Sequence, residues 1–159
     1  MESIQSTNES IKLRKLVIIP AYNESASIVN TVNDIKKNAP DFDYVVINDH
    51  SKDNTLQICK DAGLNVIDLP LNLGIGGAVQ TGYLYACQNG YDIAVQFDGD
   101  GQHDAKYLNE MAETLVKEQA DMVIGSRFIE KEGFQTSFTR RLGIRYFTFL
   151  IKILTGQKI

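Results

Sequence analysis

The chain has 159 residues, 43% of them hydrophobic and 23% charged, which suits a single globular domain or part of one and excludes low-complexity disorder, collagen and coiled coil for the whole. Its formal net charge of −4 argues against general nucleic-acid binding. No apolar run reaches the roughly 18–20 residues of a membrane span. The two cysteines, Cys59 and Cys87, match no metal spacing and suggest no disulfide framework.

Residues 1–14 read as a polar lead-in without the basic and apolar regions of a secretory signal, so a cytoplasmic setting is the expectation. Lys15–Pro20 is a short apolar, β-branched run and predicts a buried strand. Ser25 or Ser27 can cap a helix reaching about Asn38, with Ile28, Val32 and Ile35 on one face. Tyr44–Asn48 predicts the second strand. Asp53 can cap a helix over 54–61, which Gly63 stops. Leu64–Leu69 predicts a third strand, Gly74–Gln88 a helix with a Gly-rich first turn, and Tyr91–Phe97 a fourth strand. Asp104 can cap a helix to about Glu118. Asp121–Gly125 predicts a fifth strand, 126–137 a loop and Phe138–Leu154 a last helix.

Strands alternating with helices predict an α/β fold with a mostly parallel sheet covered on both faces. Ligands of such sheets bind beyond the carboxyl ends of the strands. The segments that follow the strands are Pro20–Glu24, Asn48–Asp53, Asn72–Gly77, Asp98–Asp104 and Gly125–Arg127. They bring acids, glycines and an arginine towards one rim. The sharpest is Asp98-Gly99-Asp100-Gly101-Gln102. Read as extended, it presents Asp98, Asp100 and Gln102 to one side, an oxygen set suited to Mg²⁺ or Mn²⁺ with phosphate and water completing the shell. An acidic turn capping the next helix is the structural alternative.

Other motifs fail on spacing. A calcium loop starting at Asp98 needs Gly and Glu where His103 and Asn109 stand. The glycines at 74, 76 and 77 follow the third strand rather than the first, and Val79 replaces the last glycine of a dinucleotide fingerprint. Gly77 and Gly82 have P-loop spacing, but Tyr83 and Leu84 follow. Gly76 and Gly77 still let backbone approach a ligand at a helix N-terminus, or simply make a tight turn. His50 and His103, the only histidines, fall in rim loops; His103 is a weak candidate and His50 a solvated loop residue.

Taken in order over residues 15–155, these motifs resemble family 2 glycosyltransferases of the GT-A fold. Pro20-Ala-Tyr-Asn-Glu24 is similar to that family's first nucleotide-contact motif. Val45–Thr55 is similar to its D-D-G-S-x-D-x-T motif, with Asn48 and His50 departing from the usual Asp and Gly while Asp49 and Asp53 match. Asp98-Gly-Asp100 fits the D-x-D metal motif. The Gly-Gln-His that follows and Gly125-Ser-Arg-Phe128 resemble the dolichol- or polyprenyl-phosphate sugar synthase branch.

The resemblance implies roles. Pro20, Ala21, Tyr22, Glu24, Asp49, Gly76 and Gly99 would bind a UDP-, GDP- or dTDP-sugar. Asp98 would lie near ribose or metal, Asp100 and Gln102 would hold Mg²⁺ or Mn²⁺, and Arg127 would stabilise the departing diphosphate. The reaction implied is an inverting sugar transfer to a polyprenyl phosphate or glycan, with a catalytically silent nucleotide-sugar module as the alternative. A phosphatase-like use of D-x-D is disfavoured, because its nucleophile would follow the first strand.

Residues 126–159 carry a balance of +5 against −9 for the rest. With the apolar stretch at 146–154, that charge suits a helix at an anionic membrane surface, or one packed on protein. Such a helix over 138–155, beyond a nucleotide-binding part at 15–128, completes the expected organisation. A second copy of the chain is a further candidate partner. Members of the resembled family usually continue beyond the position of Ile159, so a shortened domain is expected.

Overall fold

The computed structural model describes residues 13–100, 104–125, 146–148 and 153. The elements in chain order are β1 (Lys15–Ala21), α1 (Ile28–Asn38), β2 (Phe42–Asn48), α2 (Thr55–Asp61), β3 (Val66–Asp68), α3 (Gly74–Gln88), β4 (Ile93–Gln96) and α4 (Tyr107–Lys117). Contacts divide the chain into two compact units, 1–123 and 124–159. In the second, Tyr146–Thr148 and Ile153 are helical, and the rest of the predicted 138–154 helix lies outside the described residues. Among the described residues no helix is long and apolar enough to cross a membrane.

The four strands form one sheet in the order β3-β2-β1-β4, every pair parallel. Alternation along β1 builds two cores. Val17, Ile19 and Ala21 join Ile28, Val32 and Ile35 of α1, Cys59 of α2 and Leu108 and Ala112 of α4 on one face. Leu16 and Ile18 join Val45, Ile47 and the buried Ala78 and Ala86 of α3 on the other. The central strand is therefore apolar throughout, as a sheet covered on both faces requires.

Helix α3 carries no charge and meets the sheet through Ala78, Gly82 and Ala86, spaced one turn apart. A Cβ at Gly82 would fall inside the contact shell of Ile18 Cγ2, so the glycine is what permits this approach. Gly63 stands at φ +63° just past α2, the left-handed stop that the sequence predicts.

The predicted fifth strand is corrected. Asp121–Gly125 form a bend and coil with no strand pairing, and Met122 and Ile124 are 74% and 78% exposed. A Met-Val-Ile run has strand composition, but strand identity depends on a neighbour to pair with. The predicted serine cap is also corrected. Ser27 stands at the N-cap of α1, yet its hydroxyl donates to the Glu24 carboxylate rather than accepting from the helix. Helix α4 starts later than predicted; Asp104 accepts from Lys106 N in the preceding turn.

The loops at the carboxyl edge of the sheet are tied to each other. Asp49 N donates to Ala21 O (2.9 Å) and Phe97 N to Ile18 O (2.9 Å). Asn23 N donates to Ser51 Oγ, Glu24 N to Thr55 Oγ1 and Ser25 N to Asp53 Oδ2, so the loop after β2 straps the loop after β1. Burial raises the Asp53 carboxyl, but hydrogen bonds from Thr55 and Ser25 outweigh it and hold the group at about 2, against an ordinary 3.8.

Two outcomes follow from this packing. Gly82→Ala should destabilise the fold by about 1–3 kcal/mol through overpacking against Ile18, despite the better helix propensity of alanine. Gly76→Ala, where nothing lies within 4 Å of the new methyl, should not destabilise it; urea unfolding of both variants checks the contrast. The depressed Asp53 pKa means that its stabilisation is intact above pH 3.8 and is lost as the pH falls through about 2. Asp53→Asn should therefore unfold more readily than the parent at neutral pH, with the gap closing across that acid window in pH-dependent denaturation.

Candidate functional site

A cavity of about 220 Å³ opens at the carboxyl edge of the sheet. Its wall is formed by Pro20, Ala21, Tyr22 and Glu24 after β1, Asp49 after β2, Ile75 and Ala78 from α3, and Asp98, Gly99 and Asp100 after β4. Parallel strands place these segments together, because every strand delivers its carboxyl end to the same side. Ten residues separated by up to 80 positions in sequence thus meet through topology alone.

Asp49 is 3% exposed and does not stand as a bare charge. Its Oδ1 accepts from Leu73 N at 2.6 Å, and its own carbonyl accepts from Asn72 Nδ2 at 3.0 Å. Asp49 therefore fixes the turn that leads into α3, besides lining the cavity. A buried carboxylate that accepts a backbone N–H is satisfied on one oxygen and keeps capacity on the other.

Gly99 and Asp100 form a turn rather than the extended stretch that alternation predicts, yet Asp98 and Asp100 line the same cavity. Gln96 Nε2 donates to Asp98 Oδ1 at 3.2 Å. Gly99 is buried, and a Cβ there would lie 3.2 Å from Pro20 O, so the turn sits close on the end of β1.

Of the predicted site residues, Pro20, Ala21, Tyr22, Glu24, Asp49, Asp98, Gly99 and Asp100 come together here. Gly76 is not part of the wall; Ile75 and Ala78 supply that side. Gln102, His103 and Arg127 lie outside the described residues. His50 is exposed at φ +54° and Asp53 serves as a strap, and neither lines the cavity. Sequence reasoning missed Ile75, whose signal was an apolar side chain inside a Gly-rich turn; it is 62% exposed.

Among the described residues, no group of three or more His, Cys, Asp or Glu is arranged to enclose a metal ion. Asp98 and Asp100 are hard oxygen donors on one wall, the kind of partial set that Mg²⁺ or Mn²⁺ accepts when substrate phosphates and water supply the remainder. The residues present fit such an ion as a shared ligand of protein and substrate, not as a closed structural site.

The sequence profile of glycosyl transferase family 2 matches residues 16–159. A UDP-N-acetylglucosamine–dolichyl-phosphate N-acetylglucosaminyltransferase of Methanococcus voltae is 33% identical over 156 residues, covering 85% of this chain and 62% of that protein. The crystal structure of S. aureus TarS 1-349 in complex with UDP superposes with a TM-score of 0.58 at 25% identity, over 79% of this chain and 39% of that one. The mannosyltransferase PcManGT from Pyrobaculum calidifontis, solved with GDP-Man and Mn²⁺, superposes with a TM-score of 0.55 at 24% identity, over 70% of this chain and 34% of that one, a likeness of fold. The chain thus spans less than two thirds of the length of each. From the profile match over nearly its whole length and the GT-A fold it shares with these structures, the chain belongs to glycosyl transferase family 2.

Proposed function

We propose that this chain binds a nucleotide-diphosphate sugar in the cavity beside Asp49 and Asp98, and that it serves an inverting, metal-dependent transfer of the sugar to a polyprenyl phosphate. The observation that carries this reading is the convergence of Pro20, Tyr22, Glu24, Asp49, Asp98 and Asp100 on one cavity. At about 220 Å³ it is smaller than the roughly 300–1,000 Å³ that encloses a whole small molecule, so it suits the nucleoside portion.

Tyr22, 41% exposed at the mouth, offers a ring for a base to rest on, and Pro20 and Ala21 offer an apolar floor. Glu24 and Asp49 supply acceptors for base or ribose hydrogens. Asp98 and Asp100, with Gln102, would hold a divalent cation, which when bound offsets the charge of the diphosphate. Arg127 would add a second positive group where the leaving diphosphate gains charge. The acceptor oxygen bonds to the anomeric carbon, the bond to the diphosphate breaks, and its electron pair leaves with the nucleotide. A lipid phosphate is already anionic and has no proton to lose at that oxygen, so this chemistry needs no strong general base.

The lipid half of the reading is supported by the dolichyl-phosphate relative and by exposed apolar residues beyond 124. Tyr146, Phe147 and Ile153 are 59%, 63% and 63% exposed, and Arg140, Arg141, Arg145 and Lys152 flank them in sequence. Amphipathic segments of that composition settle at anionic lipid surfaces.

Titration calorimetry with UDP, GDP and dTDP, with and without Mn²⁺, tests the binding reading. One nucleotide should bind, more tightly with Mn²⁺, and heatless titrations without a thermal shift for all three would overturn it. In a radiolabelled-sugar transfer assay with polyprenyl phosphate, Asp100→Ala should slow turnover by about 10²–10³-fold while leaving the melting temperature unchanged. Nucleotide binding with no transfer in the parent chain would instead favour the silent module.

A further inference from the structure

The buried face of α1 runs Ile28, Thr31, Val32, Ile35, the i, i+3, i+4, i+7 stripe of a helix packed on a sheet. Thr31 is the polar member, 3% exposed, at a place where valine would fill the same volume. Burying a hydroxyl is unfavourable unless it is hydrogen-bonded. Threonine within a helix usually turns its hydroxyl back to the carbonyl four residues earlier. Thr31 Oγ1 does reach Ser27 O at 3.2 Å, but it also lies 3.2 Å from Gly99 O, 68 residues away.

That second acceptor belongs to the peptide joining Gly99 to Asp100. Holding its carbonyl fixes the plane from which the Asp100 backbone starts, and so limits where that carboxylate can swing. Gly99 is wedged from the other side as well: a Cβ there would lie 3.2 Å from Pro20 O and 3.5 Å from Ile28 Cδ1. One turn further along α1, Asp34 Oδ2 accepts from Ala105 N at 3.2 Å, while its Oδ1 accepts from Asn38 Nδ2 at 2.8 Å. The same helix thus holds the acidic segment at Gly99 and the chain beyond it at Ala105.

We propose that Thr31 and Asp34 are positioning residues, through which α1 sets the Asp98–Asp100 turn in the attitude that receives a divalent cation. The inference rests on the metal-dependent reading above. It adds two residues that touch neither nucleotide nor cation, and it makes the affinity for the ion depend on a helix packed behind the sheet edge. Thr31→Val keeps the shape and removes the hydroxyl; Thr31→Ser restores it.

In the ligand-free 159-residue chain, Thr31→Val should speed amide hydrogen exchange at Phe97, whose N–H is bonded to Ile18 O at the root of the turn, by about five- to tenfold, the change that matches one hydrogen bond of ordinary net strength. With UDP or GDP saturating, the Mn²⁺ half-saturation should rise by a similar factor of about five to ten, again the measure of one such bond. Nucleotide affinity in EDTA should not change, and Thr31→Ser should match the parent throughout. Unaltered exchange in Thr31→Val, or equal losses of metal-free and metal-dependent binding, would overturn the proposal. If Thr31→Val does not fold, Asp34→Ala, which removes both acceptors, replaces it: faster exchange at Ala105 with weaker Mn²⁺ uptake supports the grip, and parent-like behaviour overturns it. If the parent chain takes up no nucleotide at all, the functional reading fails, and the exchange data alone decide whether Thr31 anchors the turn.

Discussion

Parallel pairing of β1 between β2 and β4 is the constraint from which the site follows. A strand flanked on both sides by parallel neighbours has its carboxyl end beside theirs, so the chain must reverse on one edge after each of them. The register Ala21↔Asn48 aligns the exits of β1 and β2, and Ile18↔Gln96 sets the exit of β4 lower on the sheet. The Asp98–Asp100 turn therefore folds over the end of β1, where Pro20 O and Ile28 leave room for a glycine and little more. A side chain at Gly99 would press on Pro20 O, and the turn would have to give by a few tenths of an ångström. Core packing and site chemistry thus share the same few ångströms.

The described loops of this edge gain order from each other. Asn23 takes a left-handed backbone, φ +59°, and its Oδ1 accepts from Lys52 N at 2.8 Å. Thr55 is wholly buried, donates to Asp53 and accepts from Glu24 N. Each bond alone contributes about 0.5–1.5 kcal/mol net. Their joint effect is to fix the loop after β1 that lines the cavity, and a wall fixed in advance lowers the ordering cost of binding any ligand there. Residues that look like a binding motif in sequence are here divided between wall and scaffold: Tyr22 and Asp49 line the cavity, whereas Ser51, Asp53 and Thr55 hold the wall in place.

Much of this was legible beforehand. The strands around Val17–Ile19 and Val45–Ile47 announced themselves as apolar β-branched runs, and α1 by the spacing of Ile28, Val32 and Ile35, because burial imposes those patterns directly. The rim residues were legible through one topological rule applied to the segment after each strand. What the pattern could not carry was anything decided by partners. Asp121–Gly125 has the composition of a strand without a strand beside it. Ser27 has the composition of a cap but meets a nearer carboxylate. Gly76 drew attention as a glycine, while the cavity takes its neighbour Ile75. Thr31 was silent in sequence, since one threonine in a helix carries no sign that its acceptor lies 68 residues away.

The two departures in the segment after β2 have physical accounts that differ in kind. His50 stands at φ +54°, a conformation glycine adopts freely and histidine tolerates better than most, so the usual glycine is replaced at modest strain and with an exposed side chain. Asn48 is more consequential. It is 1% exposed, donates from Nδ2 to Asp68 Oδ1 at 2.7 Å and accepts from Ser51 Oγ. An aspartate at 48 would set a buried carboxylate against the exposed one of Asp68 and lose the hydrogen bond that the amide donates. The amide is thus matched to Asp68 at the end of β3, and the pair joins the loop after β2 to the third strand. Because Ser51 also accepts from Asn23 N, this chain of hydrogen bonds runs from β3 through β2 to the loop after β1. Asp49 is the carboxylate of that segment that lines the cavity, whereas Asn48 serves to tie the rim together.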